Sequence, residues 1–134
     1  MSRTDSTPAT PGSLLDALPY TDRGRGQPLV LLHGFPLDRR MWDAQVERLS
    51  DHYRVIAPDL RGFGRSIRHD PFTIESLADD IHLFLEQLVA CPCVLAGLSM
   101  GGYVALAYAK KHQSDLRGLI LVDTKAGADT ADGK

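Results

Sequence analysis

The 134-residue sequence predicts an α/β protein built on a three-layer, doubly wound parallel sheet. Short, continuous apolar runs recur along the chain, and such runs indicate strands that are buried on both faces. Segments whose apolar residues have helical spacing lie between these runs. This regular alternation of strand and helix is typical of the right-handed crossovers that build a parallel sheet.

The first elements are an optional edge strand, a buried strand and a helix. Residues 14–21 are compatible with one short strand, which the turn-prone segment 22–26 would end. The apolar run 28–32 predicts the first buried strand. Asp38 is the expected N-cap of a helix that extends to about Leu49, because its apolar positions have helical spacing.

The remaining elements continue the same alternation. The run 53–57, which is followed by a proline, predicts the second buried strand. A single apolar stripe predicts a helix over 71–89. Two further buried strands are predicted at 93–96 and 116–122, with a helix over 100–112 between them.

Composition narrows the class of protein. Residues 1–13 are polar and rich in Ser, Thr and Pro, which predicts a disordered leader. The net charge of −2 gives no reason to expect nucleic acid or an anionic membrane as a partner. Cys91 and Cys93 are too close together for a strain-free disulfide or a usual zinc half-site. With no apolar run long enough for a membrane span, the expected location is the cytoplasm.

The sharpest chemical signal is the segment 97–101, which reads GLSMG and matches G-x-S-x-G at a strand-to-helix junction. Such a junction presents the serine hydroxyl on a tight turn, so we predict a positive φ for Ser99. The flanking glycines allow strand and helix backbones to approach closely. The first helical turn directs free N–H groups and a positive dipole end at the serine, which favours a developing oxyanion. The alternative is a glycine-rich turn with an idle serine.

A second signal, HGFP at 33–36, directly follows the first buried strand. Acyl transfer needs two converging N–H donors for the oxyanion, and Met100 can supply one. Pro36 has no N–H, so Gly34 or Phe35 must supply the other. His33 is expected to be a structural residue that bonds nearby loop backbone, the alternative being a proton shuttle.

A third signal is the loop DLRGFGRS at 59–66. Its glycines allow the chain to turn, and Asp59 together with Arg61 and Arg65 is expected to fix the loop through ion pairs and backbone bonds. No third glycine, and no lysine followed by Ser or Thr, completes a nucleotide-binding pattern.

These three motifs, in this order and spacing, resemble the alpha/beta-hydrolase family, close to its bacterial esterase and enol-lactonase members. The resemblance covers roughly residues 14–129, the first half of a typical member, so that 14–134 would be the N-terminal portion of the hydrolase domain. It implies four parallel strands in the spatial order second, first, third, fourth. It also implies Ser99 as nucleophile and the backbone N–H groups of Met100 and Phe35 as oxyanion hole, with no cofactor or metal.

The implied substrate is a small carboxylic ester or lactone. A serine at position 99 argues against the haloalkane dehalogenases and epoxide hydrolases of this family, which use an aspartate nucleophile. A cofactor-free haloperoxidase (perhydrolase) remains an alternative, because the same serine site serves it.

The resemblance also implies a catalytic acid and histidine on later strands, and often a cap domain. No histidine follows Asp123, which resembles an alternative acid position but is expected to be structural or positioning. The five histidines, none of which has the expected place, are His33, His52, His69, His82 and His112. We therefore expect the isolated chain to be inactive, and a non-catalytic truncated or engineered fragment is the alternative interpretation.

The strand predicted at 116–122 is apolar and carries one charge, Arg117. In the resembled fold further strands pair beyond it. Without them it would be a bare hydrophobic edge, which predicts self-association or binding of a complementary fragment. An antiparallel two-fold dimer is the first expectation.

Overall fold

The computed structural model describes residues 18–66 and 71–124. Its strands are β1 (Tyr20–Arg23), β2 (Pro28–Leu32), β3 (Arg54–Pro58), β4 (Cys93–Leu98) and β5 (Leu116–Val122). Its α-helices are α1 (Asp43–Leu49), α2 (Ile74–Leu88) and α3 (Met100–His112), with 3₁₀ turns at Arg39–Trp42 and Gln113–Asp115. The predicted leader at 1–13 lies outside the described residues.

The strands form one sheet in the order β1-β3-β2-β4-β5. β2 pairs in parallel with both β3 and β4, and β4 pairs in parallel with β5. β1 adds an antiparallel edge beside β3. The predicted fold class and the predicted order of the four parallel strands are therefore confirmed, but β5, predicted as a buried strand, has no buried residue.

The N-terminal strand lies later than predicted. It extends to Arg23, so the first two residues of the predicted turn at 22–26 belong to the strand. The carboxylate of Asp22 accepts hydrogen bonds of 3.0 and 2.8 Å from the Arg54 guanidinium on β3, which holds these residues in the ladder. β3 likewise includes Pro58, because Pro58 pairs with Tyr20 at the antiparallel side of the sheet.

The helix predicted from Asp38 to Leu49 is divided into two pieces. The Asp38 carboxylate caps the first turn as predicted, accepting from the Arg40 N–H at 2.9 Å. That turn has 3₁₀ geometry, and α1 begins only at Asp43. The predicted helix 71–89 is shorter, because Thr73 and Ser76 form a capping box and Val89 ends it in the left-handed conformation.

The helices cover both faces of the sheet, which gives the predicted three layers. α2 and α3 pack on one face and enclose the larger core, and α1 with the preceding 3₁₀ turn covers a smaller core on the other face. In the larger core the fully buried side chains include Val30, Leu32, Ile56, Phe84, Leu95 and Tyr108. In the smaller core the buried side chains are Leu29, Leu31, Trp42, Val46, Val55, Ala57 and Ala96.

β5 is at the end of the sheet and is only partly covered. Its Ile120 and Val122 side chains are 47% and 40% exposed. By register they face the same side of the sheet as Ala96 and Leu98 of β4, which is the side of α1. Among the described residues no helix is long and apolar enough to cross a membrane.

Candidate active site

Ser99 lies at the junction of β4 and α3, as the N-cap residue of the helix. Its φ is 53° and its ψ −112°, so the predicted positive φ is confirmed. The residue is exposed at the carboxyl end of β4. A non-glycine residue in this region of φ and ψ is strained, and it persists only where the surroundings fix it.

Two glycines allow the close approach that this turn requires. A Cβ atom built on Gly97 would overlap the carbonyl of Gly101 and lie 2.6 Å from the Gly102 nitrogen. A Cβ built on Gly101 would overlap the Leu32 carbonyl at the end of β2. The opposing atoms are backbone atoms and cannot swing away, so both positions exclude any larger side chain.

The turn is also held from β5. The Ser99 N–H donates to the Val122 carbonyl at 3.0 Å, which extends the β4–β5 ladder to the serine itself. The Thr124 hydroxyl lies 3.0 Å from the Ser99 carbonyl and 3.1 Å from the Val122 carbonyl, so its proton bridges the two. Asp123 between them has a φ of 51° and is exposed. Sequence reasoning missed Thr124, whose only signal is a hydroxyl two residues after the end of a strand.

The HGFP segment approaches the serine from β2. A Cβ built on Gly34 would lie 3.5 Å from the Ser99 Cβ and 3.1 Å from the Leu98 carbonyl oxygen. The Leu37 N–H donates to the Gly34 carbonyl at 2.8 Å, which closes a tight turn around Phe35. The segment that carries Phe35 therefore lies beside Ser99 and the first residue of α3, Met100.

His33 is fully buried and bonds loop backbone with both ring nitrogens. Nε2 accepts from the Leu60 N–H at 2.9 Å, which leaves the proton on Nδ1, 3.0 Å from the Gly34 carbonyl. Burial lowers the pKa of His33 below its usual value, because desolvation penalises the imidazolium. The expected bonding of His33 to nearby loop backbone is confirmed, and it connects the HGFP segment to the next loop.

Asp59 fixes that next loop. Its buried carboxylate accepts from the Arg65 N–H at 2.9 Å and from the Arg39 N–H and guanidinium at 2.8 and 2.7 Å. Arg61, which was expected to help fix the loop through an ion pair, pairs with Asp80 on α2 at 2.7 and 2.9 Å. Arg39, which the sequence did not single out, occupies the place beside Asp59.

Aromatic rings form an apolar surface near the HGFP segment. Phe63 packs edge-on against Phe35, with ring centroids 5.8 Å apart, and also contacts Phe72 at 5.7 Å. Phe35 is 67% exposed, and Phe72 is also exposed. An exposed aromatic cluster of this kind favours an apolar group as ligand.

A general base for Ser99 is not found within residues 18–66 and 71–124, where no residue hydrogen-bonds the serine hydroxyl. His33 is engaged by backbone, as described above. His112 is the last residue of α3, so the length of that helix, roughly 18 Å, separates it from the serine. His82 stacks on His112 and shares this distance.

Comparison with known proteins agrees with this geometry. The family profile of the alpha/beta hydrolase fold matches residues 27–133. An AB hydrolase superfamily protein of Bacillus subtilis is 38% identical over 112 residues, which are 81% of this chain and 42% of that protein. A Synechocystis protein named for non-heme chloroperoxidase activity is 41% identical over 98 residues, 72% of this chain and 36% of that protein.

A solved structure of a thermophilic esterase from Thermogutta terrifontis superimposes with a TM-score of 0.80 at 47% identity. The superposition covers 98% of this chain and 48% of the esterase. The chain thus spans less than half the length of these three proteins. With a family match over most of its length and with the sheet order and the strained turn at Ser99 described above, the chain belongs to the alpha/beta hydrolase fold family.

Proposed function

We propose that this chain supplies the nucleophile and the oxyanion hole of a serine hydrolase that acts on carboxylic esters or lactones. The observation that carries the proposal is the conformation of Ser99, an exposed residue with a φ of 53° at the N-terminus of α3. Nothing in the packing of the sheet requires a strained non-glycine residue there, and such residues concentrate at functional sites.

In the proposed reaction the Ser99 hydroxyl attacks the carbonyl carbon of the substrate. Negative charge then develops on the carbonyl oxygen, between the N–H groups of Met100 and Phe35. The Met100 N–H is one of the first N–H groups of α3, which have no acceptor within the helix and lie at its positive dipole end. Collapse of the tetrahedral intermediate releases the alcohol, and water then releases the acyl group and restores the serine.

The aromatic surface formed by Phe35, Phe63 and Phe72 supports an apolar acyl or alcohol group on the substrate. Because the ring of Phe35 is 67% exposed, it is available for such a contact. We therefore propose short, uncharged esters or lactones as the substrate class.

The test uses p-nitrophenyl acetate and mass spectrometry of the digested protein. With imidazole added as a general base, the proposal expects acetyl to appear on the peptide that contains Ser99, and expects none on the corresponding peptide of Ser99→Ala. Ser50→Ala removes a hydroxyl at the end of α1, away from the site, and should label like the parent chain. Labelling of parent and Ser99→Ala to the same extent would refute the assignment of the nucleophile.

The same assay separates a nucleophile from a complete catalyst. Because no described residue hydrogen-bonds the Ser99 hydroxyl, we expect the isolated chain to turn over the ester no faster than Ser99→Ala. Added imidazole, a soluble general base, should increase the Ser99-dependent part of the rate. Turnover about a hundredfold above Ser99→Ala without imidazole would contradict this expectation. No response to imidazole together with no labelling would favour the non-catalytic fragment.

A cofactor-free haloperoxidase is the second candidate, and the similarity to the Synechocystis protein supports it. In that reaction hydrogen peroxide replaces water at the acyl-serine and forms a peracid, which oxidises halide. If the chain is a haloperoxidase, it should brominate a dye in acetate buffer with peroxide, and Ser99→Ala should not. Ester hydrolysis without bromination would support the hydrolase proposal and exclude the haloperoxidase.

A further inference from the structure

Three side chains capable of binding a metal ion converge where α2 packs against the end of α3. His82 lies on α2, His112 is the last residue of α3, and Asp115 follows in the 3₁₀ turn that leads into β5. One ligand atom from each residue can be chosen so that all three atoms lie within 4.8 Å of one another. The cluster is at the opposite end of α3 from Ser99 and takes no part in the proposed hydrolysis.

The two imidazole rings lie face to face, with centroids 3.7 Å apart and planes inclined by 2°. The Nδ1 atom of His82 is 3.3 Å from a carboxylate oxygen of Asp115. This Nδ1 is buried and makes no hydrogen bond to any described residue, the approach to Asp115 included. A buried ring nitrogen without a hydrogen bond costs free energy, and a bound cation would remove that cost.

Neighbouring groups hold the cluster in place. The Tyr108 hydroxyl donates to the same oxygen of Asp115 at 2.8 Å. On the far side of the His82 ring, Nε2 lies 3.7 Å from the Glu86 carboxylate. A histidine that binds a metal through one nitrogen usually donates from the other to a carboxylate or carbonyl, and this donation orients the ring. Asp115 and Glu86 lie on opposite sides of His82, and the Glu86 carboxylate must move closer to Nε2 to accept that hydrogen bond.

We propose that His82, His112 and Asp115 form a binding site for a divalent transition-metal ion, with Zn²⁺ the best match. Two imidazoles and one carboxylate are ligands that zinc accepts, whereas Mg²⁺ and Ca²⁺ require oxygen ligands. Tetrahedral zinc with bonds of about 2.0–2.1 Å holds its ligand atoms roughly 3.3 Å apart. Ligand atoms as much as 4.8 Å apart must therefore approach by up to roughly 1.5 Å, and the two imidazole rings must rotate out of their parallel stack so that both lone pairs point at the ion. The fourth position is open to water.

The site is open to solvent and joins separate elements. The side chains of His82 and Asp115 are 24% and 27% exposed, which leaves a path for the ion. An ion held there would link α2, the end of α3 and the turn before β5. Its role would be to stabilise that packing, because an ion that binds only the folded chain raises its stability.

The decisive measurement is calorimetric titration of the 134-residue chain with Zn²⁺. We expect one ion per chain, with no comparable heat from Mg²⁺. The variants His82→Gln, His112→Gln and Asp115→Asn should each bind at least about tenfold more weakly. Co²⁺ in place of Zn²⁺ provides a second measurement, because a site with imidazole ligands gives visible absorption bands that these variants should lose.

Matched controls lie on the same helices and elsewhere in the fold. Asp79→Asn removes a carboxylate that pairs with Lys111 across the α2–α3 contact, and His52→Gln removes a histidine outside the cluster. Cys91→Ser tests adventitious binding to a nearby thiol. Burial raises the pKa of the Cys91 thiol, which disfavours the thiolate that metals bind. All three controls should retain the affinity of the parent chain.

Thermal unfolding with and without Zn²⁺ separates ligation from a merely structural role. Zn²⁺ should raise the unfolding temperature of the parent chain and the controls, but not of the three ligand variants. Equal zinc affinity in the parent and all three ligand variants would overturn the site, as would loss of binding in Cys91→Ser alone. Absence of any zinc binding would overturn it as well.

Discussion

β2 and β5 are both short apolar strands in one sheet, yet they differ in how many of their residues are buried. β2 pairs on both sides, and four of its five residues are buried. Within the described residues β5 pairs only with β4, and none of its seven residues is buried. Apolar composition alone therefore does not set burial. The place of a strand in the sheet order decides how much of its side-chain area is removed from water.

The largest expected contrast between the two strands comes from truncating one aliphatic side chain on each. Leu32→Ala on β2 should lower the free energy of unfolding by about 2–5 kcal/mol, because it leaves a cavity in the larger core. Ile120→Ala on β5 should cost less than about 1 kcal/mol, because that side chain is already 47% exposed. Urea unfolding of both variants measures the difference. Equal losses would show that β5 is covered in solution.

A second contrast compares glycines on β4 and β5. Gly97→Ala should destabilise by about 1–3 kcal/mol, because the new Cβ meets the backbone of Gly101 and Gly102. Gly118→Ala places its Cβ 3.8 Å from the Val94 methyl groups, an ordinary contact. It should change stability by no more than about 0.5 kcal/mol, in either direction. If Gly97→Ala is tolerated, the turn at Ser99 can relax.

The stability of the folded chain should also depend on pH through His33, which directly follows β2. Because burial lowers its pKa in the folded chain below the ordinary 6.5, the unfolded chain takes up a proton first as pH falls. Stability should be fully present above about pH 7.5 and should decline below pH 6.5, by at most about 1.4 kcal/mol per pH unit. The free energy of unfolding is measured above pH 7.5 and again about one pH unit below 6.5, for the parent chain and for His33→Gln. The difference between the two chains isolates the contribution of His33. The same decline in His33→Gln would assign it to other groups.

The smallest effect on the folded monomer is expected from charges placed on β5. We propose that the open edge of β5 pairs with a second copy or with a complementary fragment, because its backbone and the side chains of Ile120 and Val122 are accessible. The parent chain should then scatter light as a species heavier than the 14.7 kDa monomer. Ile120→Lys should shift it toward monomer with little change in unfolding free energy. A parent chain that remains monomeric at high concentration contradicts the proposal.

Much of the fold could be predicted from the sequence because the signals are local. The alternating apolar runs and stripes predict the strands and helices, and crossover handedness with the resembled family predicts the order of the buried strands. Boundaries were less predictable because they depend on distant partners. Asp22 is in a strand because Arg54 lies opposite it, and Arg54 is 32 residues away.

The candidate site likewise has features that the sequence could predict and features that it could not. The turn at Ser99 could be predicted because its glycines are adjacent in sequence and their small size has a steric reason. The pairing of Arg61 with Asp80 could not, because nothing local distinguishes Asp80 from Asp59 as a partner. The cluster of His82, His112 and Asp115 could not be predicted either, because its two histidines are 30 positions apart in the chain.

The hydrogen bond from the Thr124 hydroxyl to the Ser99 carbonyl has a consequence for when the serine turn can form during synthesis. Within residues 18–66 and 71–124, the contacts described for the serine turn come from β2 and the segment after it, from β4 and α3, and from the end of β5 and Thr124. During synthesis on the ribosome, the turn can therefore take its final shape once Thr124 has left the exit tunnel. Among the described contacts the last to be synthesised is that of Thr124, 25 residues after Ser99, so the turn can be completed soon after the serine itself is made.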